Sequence, residues 1–248
     1  MMLEANRFGE GRGRPVLVAH GLFGSARNWG AVARRLSEDR EVWAVDMRNH
    51  GASPWDPDHS YPALAGDLAE MAAAMGGAVD VVGHSMGGKA AMAMALLHPE
   101  AVRRLVVLDI APVPYGHGAD NLRLIAAMRA VDPAAGRQAA LAALGGDAVA
   151  AFLVQSLDAA EGRWRLNLDA LEANMGRIVG WGVAGAWAGP ALVVDGELSD
   201  FVTPAHREVI RAILPRARVA RLKGAGHWLH ADRPRETEGA IRAFLDAT

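Results

Sequence analysis

An α/β fold is what this sequence predicts: a mostly parallel central sheet flanked by helices, with a helical block inserted late in the chain. Two observations carry that reading. Short apolar, β-rich runs alternate with stretches of helical period, which is the pattern of a parallel sheet covered on both faces. The regularity then stops between Asp109 and Ala191, where about eighty residues hold helical segments and no convincing strand.

The elements follow in order. Pro15-Val16-Leu17-Val18-Ala19 is the first clear strand, and Ser25 to Leu36 reads as a helix. Glu41-Val42-Trp43-Ala44-Val45 is the second strand, ending at Asp46, and a loop rich in Gly, Pro and Asp runs from Arg48 to about Tyr61. From Pro62 to Met75 the residues Leu64, Leu68, Met71 and Met75 share one helical face. Val79-Asp80-Val81-Val82 is a strand, and the Ala/Met-rich stretch from Met86 is a helix stopped near His98 by Pro99. Leu105 to Leu108 is a strand ending at Asp109. Helices are expected over Asn121–Val131, Pro133–Leu144, Ala148–Leu157 and Leu168–Val179. Ala191–Val194 and Arg218–Leu222 are the last strands, and a final helix runs from about Pro234 to Leu245. Residues 1–110 and 191–248 are thus expected to form the core. Residues 111–190 read as a cap over the C-terminal edge of the sheet, where ligands bind in such folds. The plainer alternative is a set of extra packing helices with no role at a site.

Bulk properties narrow the function. At 248 residues one domain with a sizeable core is expected. A net charge of −2, with no basic run longer than a pair, speaks against a nucleic-acid partner. Lys89 and Lys223 are the only lysines among 26 basic residues. There is no cysteine, which excludes disulfides, thiolate metal sites and a thiol nucleophile. The N-terminus lacks a basic stretch followed by an apolar one, so no secretory signal is expected. No apolar run reaches the roughly 18 residues of a membrane span. A cytoplasmic location is the default expectation.

Gly83-His84-Ser85-Met86-Gly87 joins a strand to a helix in the form G-x-S-x-G. In such an elbow a serine hydroxyl stands on a strained turn above a parallel sheet. A serine is a poor nucleophile until a base takes its proton, and the base needs an acid to orient it. His227, in Gly224-Ala225-Gly226-His227-Trp228, lies just past the last strand and is the candidate base. His230 reads as its neighbour, and His84 and His98 as packing residues. His20-Gly21-Leu22-Phe23-Gly24-Ser25 closes the first clear strand and can aim a backbone N–H at a developing oxyanion. Met86 N–H, at a helix start, is the first such donor and Leu22 N–H the second. The plainer reading of His20-Gly21 is a turn that merely ends a strand.

The chain resembles the α/β-hydrolases. Within them, His20–Ser25, Asp46-Met47-Arg48-Asn49-His50-Gly51-Ala52-Ser53, Gly83-His84-Ser85-Met86-Gly87-Gly88-Lys89 and Asp109-Ile110-Ala111-Pro112 are similar to a group of small esterases. That group holds the YbfF-type esterases and the abhydrolase-domain-11 proteins. The resemblance runs from about residue 15 to the end, outside much of the cap. It implies hydrolysis of small-molecule carboxylic esters or acyl thioesters through a serine acyl-enzyme, with no metal and no organic cofactor. The order Ser, acid, His is the order this fold uses.

The acid is the member in question. In many α/β-hydrolases it follows the penultimate strand in a Gly-x-x-Asp turn. Here that turn reads Asp195-Gly196-Glu197-Leu198-Ser199-Asp200, which puts Ser199 where the aspartate is expected and Asp200 one step late. Asp109 ends the strand after the elbow, an alternative acid position, and YbfF-type esterases resemble this chain in carrying an aspartate there. Asp109 is therefore the expected acid, Asp200 the alternative, and Ser199 a fourth member beside the His–Asp pair. Capping of the following loop is the plainer role for Asp109. Asp46 and Arg48 read as scaffold.

Phe23, Trp29, Trp164 and Trp181 are the candidate acyl-binding residues; the plainer reading makes the cap tryptophans cap core and leaves Trp29 undecided. Two rival functions share these features. One is a C–C hydrolase or lyase of the same fold, with Arg123, Arg129, Arg163 or Arg165 gripping a carboxylate. The other is a ligand-binding receptor on a hydrolase scaffold.

Overall fold

A computed structural model describes residues 1–10 and 13–247 of the chain. β1 (Ala5–Phe8) and β2 (Val16–Ala19) lead through a 3₁₀ turn at Ala26–Trp29 into α1 (Gly30–Leu36). β3 (Val42–Val45), α2 (Tyr61–Ala74), β4 (Val79–His84), α3 (Met86–Leu97) and β5 (Val102–Leu108) follow. The inserted segment carries α4 (Gly118–Ala130), α5 (Arg137–Ala143) and α6 (Ala148–Leu153). It continues with a hairpin of β6 (Leu157–Asp158) and β7 (Arg163–Trp164), then α7 (Leu168–Ala173) and α8 (Met175–Val179). β8 (Ala191–Gly196), α9 (His206–Ile213), β9 (Ala217–Leu222), α10 (Leu229–Asp232) and α11 (Pro234–Asp246) complete the chain.

Seven strands make one sheet in the order β1-β3-β2-β4-β5-β8-β9. All neighbours are parallel except β1, which pairs antiparallel with β3. Alternate residues of the inner strands go to opposite faces. Leu17, Val81, Leu105 and Val107 pack with Leu64 and Leu68 of α2 and Met92 of α3. Val16, Val18, Val82 and Val106 pack with Val32 of α1 and Ile241 of α11. Helices therefore cover both faces. Among the described residues no helix is long and apolar enough to cross a membrane.

Several local expectations change. β1 is absent from the sequence reading because Ala5-Asn6-Arg7-Phe8 is polar and half-exposed, an edge strand with one neighbour. The Arg7 guanidinium lies 3.7 Å from the Trp43 ring and covers that edge. The helix expected over Pro133–Leu144 breaks at Gly136 (φ 88°), and that over Leu168–Val179 breaks at Asn174. The inserted segment holds the small β6–β7 hairpin where no strand is expected. α9 and α10 are helices that the periodicity did not bring out.

The insertion is tied to the loop after β3 by backbone bonds. Gly51 N–H donates to Arg165 O (2.8 Å) and Asn167 N–H to Asn49 O (2.9 Å). Ser156 Oγ donates to Phe23 O at 2.9 Å. These bonds bring the insertion to the C-terminal ends of β2 and β4, where the elbow stands.

Candidate active site

Ser85 alone makes the turn between β4 and α3, at φ 52° and ψ −121°. An L-residue at positive φ is strained by about 1–3 kcal/mol and persists only where its surroundings over-determine it. Here Ser85 N–H donates to Leu108 O on β5, and Ser85 O accepts from Lys89 N–H, both at 3.0 Å. Gly87 completes the constraint. A Cβ on it would run into Ala19 O and His20 O, so only glycine lets α3 start this close to the end of β2.

His227 arrives on the loop between β9 and α10. Its Nε2 lies 3.0 Å from Ser85 Oγ and its Nδ1 2.8 Å from Asp109 Oδ2. Asp109 is fully buried and also sits at positive φ (51°). Its Oδ1 accepts the Gly196 N–H at 3.0 Å, and its Oδ2 accepts the Ser199 hydroxyl. Asp200, the alternative acid, is exposed and hydrogen-bonds to nothing among the described residues. The fold thus brings Asp109 and Ser199 together at His227 and hydrogen-bonds Asp200 to neither. A neutral imidazole with Nδ1–H to Asp109 presents a lone pair at Nε2 to the serine proton, which is what a general base requires.

Two N–H groups flank the serine. Met86 is the first residue of α3, so its N–H has no carbonyl one turn back to bond. The loop after β2 passes against the elbow, since a Cβ on Gly21 would lie 3.1 Å from Ser85 Cβ. In that loop Phe23 N–H donates to His50 Nε2 (3.2 Å) and Gly24 N–H to Gly21 O (3.0 Å). Leu22 N–H bonds no group among the described residues. The loop's shape depends on neutral imidazoles. His50 Nδ1 bonds Arg48 O at 2.9 Å, while His20 Nδ1 bonds Gly21 O at 2.8 Å and its Nε2 accepts Met47 N–H at 2.9 Å. Burial lowers His20 to about 4 and His50 to about 3. It also pushes His84 well below its usual value and His230 down to about 4.

A cavity of about 160 Å³ opens beside Ser85. Its core-side walls include Leu22, Phe23, Trp29 and Ile110, and its insertion-side walls include Leu124, Val149, Phe152 and Ile178. Phe23 and Trp29 are therefore in place. Trp164 and Trp181 are not, which corrects the expected acyl-binding set. Trp164 is spent inside the insertion, where its indole N–H donates to Met128 O at 2.9 Å. Trp181 packs on Tyr61 with ring centroids 5.7 Å apart. Among the described residues no Arg, Asp or Glu lines the cavity. Arg123 pairs with Asp120, Arg129 with Glu172 at 2.5 Å, and Arg165 with Asp158 at 2.6 Å, so these guanidiniums are engaged elsewhere. Arg163, on β7, is exposed and lies outside the cavity. Asp46 and Arg48 hold the scaffold. Asp46 accepts Ala26 N–H and Ala52 N–H, and Arg48 grips Asp67 through two bonds. Among the described residues no group of three or more His, Asp or Glu is placed to hold a metal.

The sequence reading missed Phe201, whose ring stacks on His227 at 3.8 Å between centroids. Its signal was proximity: it stands two residues after Ser199, on the loop that braces Asp109. Lys89, to which the sequence assigns no role, reaches the cavity wall.

A model of the alpha/beta hydrolase family matches residues 16–240. The chain is 41% identical over 239 residues to the Escherichia coli esterase YbfF, covering 94% of this chain and 93% of that one. It is 39% identical over 246 residues to the mouse sn-1-specific diacylglycerol lipase ABHD11, covering 93% and 80%. Among solved structures, an esterase from a marine microorganism superposes with a TM-score of 0.92 at 36% identity, over 98% of this chain and 99% of that one.

Proposed function

The chain belongs to the alpha/beta hydrolase family and is a carboxylic ester hydrolase, and on that premise we propose that Ser85, His227 and Asp109 are its catalytic triad. Ser85 Oγ attacks the acyl carbonyl as His227 Nε2 takes its proton. Asp109 keeps His227 in the tautomer that leaves Nε2 free and stabilises the imidazolium as it forms. The N–H groups of Met86 and Leu22 receive the tetrahedral oxyanion, each contributing about 3 kcal/mol to lowering the barrier. His227 then gives the proton to the leaving alcohol or thiol, and the same base activates water to release Ser85.

The observation that carries this reading is the position of the His227 ring, 3.0 Å from Ser85 Oγ and 2.8 Å from Asp109 Oδ2. Residues 111–190 act as a cap that supplies one wall of the acyl site. That site takes an uncharged acyl group, because its lining is mainly aliphatic and aromatic, includes no Arg, Asp or Glu among the described residues, and has the ammonium of Lys89 occupied by three backbone carbonyls. Thioesters fall within the same chemistry, and a cytoplasmic location is part of the proposal. Turnover of p-nitrophenyl butyrate tests it. Ser85→Ala and His227→Ala should each lower kcat by at least about 10⁴-fold, and a fluorophosphonate should label the wild-type chain but not Ser85→Ala. Near-wild-type turnover by either variant would end the assignment.

A further inference from the structure

Among the described residues Lys89 is the most buried Lys or Arg, 1% exposed, and no carboxylate pairs with it. A buried charge is expensive unless hydrogen bonds replace its water. Three backbone carbonyls do so here: Val113 O at 2.8 Å, Val179 O at 3.0 Å and Gly180 O at 2.6 Å. The ring of Tyr115 lies 4.7 Å from Nζ and that of Tyr61 5.7 Å. Burial pulls the ammonium down to about 7, and three carbonyl dipoles with two ring faces oppose that pull.

The identity of those carbonyls is what matters. Val113 lies where the chain leaves β5 for the insertion, and Val179 and Gly180 lie where it returns. Lys89 is one helical turn past Ser85, whose carbonyl its own N–H holds. A single ammonium thus joins the nucleophile's helix to both crossings of the insertion. Three convergent acceptors suit a tetrahedral NH₃⁺ and not the flat fork of arginine, in a chain that uses arginine almost everywhere else. The returning crossing is pinned further by Tyr61 Oη donating to Ile178 O (2.6 Å) and Tyr115 N–H donating to Val179 O (2.9 Å). Ile178 and Val179 are walls of the cavity beside Ser85.

We propose that Lys89 is a positioning residue that sets acyl-chain selectivity, by clamping both crossings of the insertion to the nucleophile helix and so fixing the Ile178–Val179 wall. The proposal rests on Ser85 being the nucleophile, and the two readings are tested apart. Lys89→Met keeps a side chain of similar volume and removes the three donors. Measured as kcat/KM on p-nitrophenyl esters from acetyl to decanoyl, the spread between best and worst chain length should shrink at least about 5-fold relative to wild type, whatever the overall rate. An unchanged spread overturns the proposal. Because the chain has no cysteine, Lys89→Cys can be aminoethylated while unfolded and then refolded, which restores an ammonium of similar reach. That product should regain the wild-type spread, and failure to do so also counts against the clamp. Were Lys89→Met not to fold, amide exchange on the wild-type chain decides. Tyr115 N–H should exchange as slowly as the amides of β5, and exchange as fast as those of α5 would overturn the clamp. Survival of turnover in Ser85→Ala would sink the triad assignment and with it the premise of the clamp, whereas an unchanged spread in Lys89→Met beside an inactive Ser85→Ala would sink the clamp alone.

Discussion

The role proposed for Asp109 rests on the number of groups that hold it. Its backbone N–H bonds Val194 O at 2.8 Å, its Oδ1 accepts Gly196 N–H, and its Oδ2 faces both His227 and Ser199. A buried carboxylate with that many donors stays an acceptor and orients one imidazole face. Asp109→Asn should therefore lower kcat on a short p-nitrophenyl ester by about 10⁴-fold, the scale of a lost triad acid, while Asp200→Asn should stay within about 3-fold, as surface changes do. The reverse ranking would move the acid to Asp200. Ser85 and His227 were legible because a motif and a chain order pointed at each. The acid stayed open because Ser199 occupies the expected place and Asp200 is one residue off, and no local pattern says which carboxylate the loop after β8 leaves beside His227. The tryptophans failed for another reason. Trp164 and Trp181 lie on or beside the insertion, and whether such a ring faces a cavity or a neighbouring helix depends on packing that no local pattern encodes.

Elements show the same split between local and tertiary signals. The inner strands were legible from short apolar runs, α2 from its period, and α3 from its Ala/Met-rich composition and the stop at Pro99. β1 was not, because its pairing with β3 is decided by a partner elsewhere in the chain, while the Gly136 break turns on one positive φ and the β6–β7 hairpin on strands of two residues, too short to show a period. Glycines make the contrast measurable at the level of a helix. Gly87, at the start of α3, faces the backbone carbonyls of Ala19 and His20, whereas Gly66, inside α2, has nothing within 4 Å of where its Cβ would be. The same change should then have opposite signs. Gly66→Ala should stabilise the fold by roughly 0.5–1 kcal/mol by reducing the freedom of the unfolded chain. Gly87→Ala should destabilise it by about 2 kcal/mol or more, since backbone must move to admit the methyl. Urea unfolding of both variants reads the signs, and a stable Gly87→Ala would contradict the tight approach of α3 to β2.

For the molecule as a whole, acid is the condition that this architecture tolerates least. Burial lowers His20 and His230 to about 4, His50 to about 3, and His59 and His84 well below the usual 6.5. The unfolded chain binds protons on these rings near 6.5 and the folded chain refuses them until far lower pH. Stability is thus complete above about 6.5 and falls as pH drops toward the folded values. By pH 5 His20, His50 and His230 each cost roughly 2 kcal/mol, and together they rival the lower end of a typical domain's stability of about 5–15 kcal/mol. Asp80 has the opposite sign, since burial raises it to about 6 beside Arg103, and its contribution is lost as pH rises through that value. One carboxyl does not offset five imidazoles. The urea midpoint should therefore drop steeply between pH 7.5 and pH 5.0, and a flat profile would refute the account. The loop after β2 should fail with the fold, because a protonated His50 can no longer accept Phe23 N–H. His230 supplies the internal control: its ring stacks on Trp29 at 4.6 Å and its Nδ1 has no partner among the described residues. His230→Phe keeps the stack and removes the titration, so that variant should lose about 2 kcal/mol less than wild type over the same pH change.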